Sequence, residues 1–65
     1  MRKIEYLHWD GKEFTWQRAQ LTAHIFDTSS DAREYGAIYE DIGWRHDVRP
    51  APKGGWFVCR VSTLD

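Results

Sequence analysis

Thr28-Ser29-Ser30-Asp31-Ala32-Arg33-Glu34-Tyr35-Gly36-Ala37-Ile38-Tyr39-Glu40-Asp41-Ile42-Gly43 is the stretch whose reading decides the fold. Thr28 and Asp31 form a capping box: the threonine hydroxyl accepts from the first helical turn and the acid three residues on reaches back. Ala32, Tyr35, Tyr39 and Ile42 then recur at helical spacing with Ile38 beside them, while Arg33, Glu34, Glu40 and Asp41 fall on the opposite side. The pattern predicts a helix over roughly Ser29 to Ile42, about 21 Å long at 1.5 Å per residue. Gly43 is a natural stop. Gly36, which costs about 1 kcal/mol inside a helix, suggests close packing against a strand.

Both flanks of this helix read as β structure. Upstream, Asp10-Gly11 suits a type I′ turn and predicts a hairpin with a two-residue loop, pairing Trp9 with Lys12, Leu7 with Phe14 and Glu5 with Trp16. In that register Leu7, Trp9, Phe14 and Trp16 share a face for the core. Tyr6, His8, Glu13, Thr15 and Gln17 share a wetter one. The alternation breaks between Gln17 and Gln20 and resumes at Leu21, Ala23 and Ile25, which predicts a bend leading into a further strand, with a helix as the competing reading of residues 17–26. Downstream, Trp44-Arg45-His46-Asp47-Val48-Arg49 and Gly55-Trp56-Phe57-Val58-Cys59-Arg60-Val61-Ser62 flank Pro50-Ala51-Pro52-Lys53-Gly54, a second hairpin with a longer loop. The expected fold is α+β: one domain over residues 1–65, a small antiparallel sheet of four to five strands, and one helix packed on one face, in the order β-hairpin, strand, helix, β-hairpin.

Length and composition narrow the function. A chain of 65 residues buries only about 60% of its unfolded surface. Four tryptophans, three tyrosines and three phenylalanines are more ring surface than so small a body can cover, which favours a homodimer or a partner. Nine Lys/Arg against ten Asp/Glu give a net charge of −1, which suits neither a nucleic-acid polycation nor an acidic DNA mimic. One cysteine cannot form an intramolecular disulfide and points to a reducing compartment. No apolar run approaches a membrane span of roughly 18 residues, and no signal-peptide core follows Met1-Arg2-Lys3, so a cytoplasmic protein without membrane association is expected.

Catalytic and metal motifs are sparse. His8, His24 and His46 lack zinc-ligand spacing, so no metal or cofactor is expected. Cys59 with His46 is the single nucleophile–base pairing on offer. Cys59 falls in the apolar run beside Phe57 and Val61, where burial keeps a thiol inert. The chain is therefore read as a binding protein and not an enzyme. Large apolar groups stand on both faces of the second hairpin, and one helix covers only one face of a sheet. Exposed tryptophan and arginine make interface hot spots, so Trp44, Arg45, Arg49, Lys53, Trp56 and Arg60 are the candidate partner-binding residues. Arginines interleaved with aromatic rings also suit phosphate contact with base stacking, the alternative of a small nucleic-acid-binding regulator using the same hairpin.

From Ser30 through Gly43-Trp44, Val48 and Gly55 to Val61, the outline resembles the helix-then-hairpin half of SPOR-type peptidoglycan-binding repeats. The other half of that fold has no counterpart here, and no function is carried over. In general character, a short aromatic-rich chain without a catalytic motif is similar to the small inhibitors of phages and mobile elements, anti-CRISPR proteins included. The expectation is an inhibitor of that type, occluding a surface of a larger protein or nucleoprotein complex.

Overall fold

Thr28 caps the helix as its sequence predicts: its backbone is extended and its hydroxyl accepts the Asp31 N–H at 3.1 Å. The structure, a computed structural model, describes residues 3–62, so Met1 and Arg2, which entered the reading of the chain start, lie outside the described residues. Helix α1 runs Ser29–Ile38 and stops short of Ile42. Three tertiary bonds at its end explain why. The Trp16 indole Nε1 donates to the Tyr39 carbonyl at 3.1 Å, and the Glu40 carboxylate is taken by His46. Gly43 therefore serves the turn into the next strand, and Ile42, expected on the inward stripe, is fully exposed.

Four strands, β1 (Ile4–Trp9), β2 (Phe14–Gln17), β3 (Trp44–Pro50) and β4 (Trp56–Ser62), form one antiparallel sheet in the order β2-β1-β4-β3. With α1 against it, this is the α+β architecture expected, at the four-strand end of the range. The first hairpin is displaced by two residues from its predicted register: Trp9 pairs with Phe14 and Leu7 with Trp16. Asp10 is the cause. Its carboxylate accepts the Lys12 and Glu13 amides at 2.8 Å each, an Asx turn, and Gly11 alone takes the positive φ of which a type I′ turn needs two. A shift of two preserves the faces, so Leu7, Trp9, Phe14 and Trp16 still share the helix side of the sheet, but Trp9, expected in the core, is about half exposed.

Residues 18–27 are neither the predicted strand nor the competing helix. The central pair β1 and β4 is matched only from Ile4 to Tyr6, after which the strands part and this irregular segment enters the gap. The His24 N–H reaches the Leu7 carbonyl at 3.0 Å, and Phe26 exchanges two backbone bonds with Trp56 at 2.7 and 2.9 Å. Gly55 makes room for it. A Cβ there would stand 2.3 Å from Ile25 Cγ2, and its φ of 77° already favours glycine. The segment also covers His8, predicted on the wetter face but buried: Nε2–H donates to the Ala19 carbonyl at 2.6 Å, and Nδ1 lies 3.4 Å from the Thr22 hydroxyl.

Leu7, Phe26, Ala32 and Val58 form the core, with Phe14, Trp16, Tyr39, Val48 and Trp56 packed around it. Gly36 sets the helix-to-sheet distance, because a Cβ at that position would lie 2.7 Å from His46 Cδ2 and 3.1 Å from Val58 Cγ1. The close packing read from this glycine is what the structure contains.

Candidate functional site

Cross-strand partners share a face, so the pairs Trp44–Ser62, His46–Arg60, Val48–Val58 and Pro50–Trp56 sort the second hairpin unambiguously. That face, with Leu7 and Glu5 of β1, lies under α1. The other carries Arg45–Val61, Asp47–Cys59 and Arg49–Phe57, continued by Ile4 and Tyr6 of β1. The six residues singled out in the sequence are thus divided between opposite sides of the sheet. Trp44, Trp56 and Arg60 are on the helix side; Arg45 and Arg49 are on the open side, and Lys53 is exposed in the loop that joins the strands.

Arg60 holds a structural position. Its Nε and Nη2 both bond Glu5 Oε1, at 2.9 and 2.5 Å, and Nη1 reaches Asp41 at 3.1 Å. The guanidinium carbon sits 4.6 Å from the Trp16 ring centre and 4.0 Å from that of Trp44. A side chain 12% exposed, stacked against two indoles and ion-paired, has little left to offer a partner. The sequence alone sets a charged residue apart as outward-facing; what reverses this is Glu5, its cross-strand neighbour from the far end of the chain.

On the open side, β4 and its neighbours form the floor of two adjoining hollows. The larger, about 320 Å³, is walled by Leu21, Ile25, Pro52, Lys53 and Phe57; the smaller, about 120 Å³, by Ile4, Tyr6, Arg49, Cys59 and Val61. Gln20 and Phe57 belong to both, which makes one channel along β4. Each hollow has one cation in its wall and no carboxylate. Leu21 at the crest is fully exposed, and Ile4 and Ile25 are each about half exposed. Arg49 leans on Asp47 at 3.3 Å, a solvent-exposed pair that constrains it little.

No family model, curated protein or solved structure matches the chain. The likeness to half of a SPOR-type repeat therefore stays one of element order.

The free edge of β3 bears on how a partner could approach. At alternate positions the outward amides are engaged: Trp44 N–H by the Asp41 carbonyl, His46 N–H by Glu40 Oε1 at 3.0 Å, Val48 N–H by Asp47 Oδ1 at 2.9 Å. Pro50, next in the series, has no N–H. An edge so capped resists addition of another strand. Contact by way of the sheet's open face is left as the better-equipped route on this side of the molecule.

Cys59 is buried in the channel floor, and burial pushes its thiol above the usual range. His46, its possible base, projects from the helix side with Nδ1 donating to Glu40 at 3.0 Å, so the sheet separates the two. Glu40, accepting from the His46 ring and then from its backbone amide, is held below the ordinary carboxylate range. Among the described residues no three histidine, cysteine or carboxylate side chains are grouped for a metal ion, and no helix is long and apolar enough to cross a membrane.

The sequence reading missed Leu21 and Ile25 as surface residues because it placed them in a strand. The signal was available: two apolar residues four apart in a segment where neither a strand nor a helix period holds throughout. Such residues, unclaimed by an element, are candidates for a wall or a contact.

Proposed function

We propose that the chain is a small non-catalytic binding protein of the inhibitor or adaptor kind, acting in the cytosol, which occludes a surface on a larger protein or nucleoprotein complex through the sheet face opposite α1. The observation that carries this reading is the channel along β4, mostly apolar in its larger hollow and mixed in its smaller one, lined by Arg49 and Lys53 and by no carboxylate, with a fully exposed leucine at its crest. A leucine that makes so little contact with its own fold contributes little to stability, and apolar side chains around a rimmed hollow are what a partner's anchor residues require. Arg45, Arg49 and Lys53, candidate hot-spot residues in the sequence, act on this face as rim charges that steer and orient. The nucleic-acid alternative has less support, since Trp44 is stacked on Arg60 and Trp56 packs against the core, so neither is a free platform for a base.

The test is photo-crosslinking from a benzoylphenylalanine placed at position 21, compared with one at the exposed Ile38 of α1. The proposal expects a discrete protein adduct in native cytosol from position 21 and none from position 38. Equal adducts from both positions, or none from position 21, would remove it.

A further inference from the structure

The channel's shape and charge define the chemistry of what it takes, and this inference rests on the binding face proposed above. Phe57, Cys59 and Val61 are successive residues on one side of β4, so the floor from Phe57 to Val61 is about 14 Å long at roughly 3.4 Å per residue, and the larger hollow extends it toward Lys53. That length suits an extended segment of about four to six residues at some 3.3 Å each. The two hollows would each take one apolar side chain, of the kind that alternate residues of an extended peptide present on one side. The cations, Arg49 in the wall of the smaller hollow and Lys53 in the wall of the larger, lie beside this path with no lining acid to neutralise them apart from the exposed Asp47 contact.

We infer that the channel binds an extended, acidic peptide segment of a partner protein, with two aliphatic side chains separated by one residue seated in the two hollows and carboxylates before and after them meeting Arg49 and Lys53. A nucleic acid would use the cations but leaves the exposed apolar walls, Leu21 and Ile25 on one hollow and Ile4 on the other, without a counterpart. A second copy of the chain would set like charges around one channel against those of the other. Acidic aliphatic peptide satisfies both halves of the surface.

The experiment uses the full chain and three synthetic peptides. In the first, two leucines separated by one serine are flanked on each side by two glutamates; in the second, the glutamates are lysines; in the third, the leucines are serines. Binding is read by fluorescence polarisation at low salt and by amide chemical shifts. The first peptide should bind, with shifts concentrated at Gln20, Leu21, Ile25 and Phe57, and the other two should be at least about tenfold weaker, a difference of about 1.4 kcal/mol. Lys53→Glu, alone and with Arg49→Glu, should reverse the preference between glutamate and lysine peptides, with circular dichroism confirming the fold. The single loop variant keeps the test open if the double variant does not fold. Equal binding of the lysine peptide, shifts centred on α1, no binding of any peptide, or light scattering that shows the face closed by self-association would each overturn the inference. If the peptides fail while crosslinks from position 21 persist, the ligand chemistry is wrong and the binding face stands; if both fail, the face falls as well.

Discussion

Replacing Arg60 with leucine separates the structural account of this residue from the interface role read in the sequence. The change removes two charge-assisted bonds to Glu5, one to Asp41, and the stacking between Trp16 and Trp44. Bonds to charged groups are worth about 1.5–3 kcal/mol each when protected, and each cation–π contact about 0.5–2 kcal/mol. The two Glu5 bonds share one acceptor oxygen, and Asp41, 72% exposed, adds little, so these do not sum freely. Against the losses, leucine buries well, but it leaves the Glu5 carboxylate, 21% exposed, without a counter-charge. The net expectation is a loss of about 2–4 kcal/mol. For a domain of this length each kcal/mol shifts the midpoint by about 4–8 °C, which puts the fall in Tm at roughly 10–30 °C. Thermal and urea unfolding of wild type, Arg60→Leu, Glu5→Leu and the double variant form a cycle. The double variant should recover part of the loss, because removing both partners costs less than stranding one. A loss under about 0.5 kcal/mol, the range of ordinary surface substitutions, refutes the structural assignment, the more so if partner binding disappears while the fold remains.

The other expectations follow from the same contacts. Gly36→Ala gains about 1 kcal/mol of helix propensity but drives a methyl to within 2.7 Å of the His46 ring, so the variant should be less stable by about 1 kcal/mol or more in urea titration; a net gain would mean that the helix can lift off β3 without cost. Glu40 and Asp10 both have carboxyls held below their usual range, Glu40 by the His46 ring and amide, Asp10 by the Glu13 and then the Lys12 amide. Each therefore contributes stability above its unfolded value, 4.5 and 3.8, that is lost as pH falls through the lower folded value, and Glu40→Gln should flatten the acid limb of a Tm-against-pH curve below about pH 4.5. Iodoacetamide should label Cys59 much more slowly at neutral pH than a free thiol, rising to the free rate in denaturant; fast labelling of the native protein would contradict a buried, protonated thiol.

What the sequence made legible was local: Thr28 with Asp31, the core side of the first hairpin, the two rows of the second though not which of them meets the helix, and a glycine placed for close packing. What it hid was supplied by residues far along the chain. The end of α1 is fixed by Trp16, a residue 23 positions away, and no helix-stop signal at Tyr39 foreshadows it. Arg60 looks solvent-facing until Glu5 is set beside it, 55 residues distant. Once Arg60 and its tryptophans are assigned to the helix side, alternation leaves Phe57, Cys59 and Val61 facing away from α1, the reverse of a reading that sends the most apolar row to the helix.

That reversal accounts for the candidate site. A central strand flanked on both edges is covered on two faces, and β4 has buried residues on both, yet there is only one helix in the described chain to cover them. The second cover is the irregular segment 18–25, anchored by His8 to the Ala19 carbonyl and by the Leu7 carbonyl to His24. It reaches only part of the face. It closes over His8 and the side of Phe57, and where it ends the channel begins, with Leu21 and Ile25 as its wall. The expectation that one helix leaves large apolar residues of the second hairpin exposed is therefore not met: Phe57, Val58 and Cys59 are buried, and no exposed large apolar side chain lies on β3 or β4. The hairpin's tryptophans are occupied, Phe57 and Cys59 are buried in the channel floor, and the exposed apolar side chains beside it are Ile4 of β1 and Leu21 and Ile25 of the covering segment.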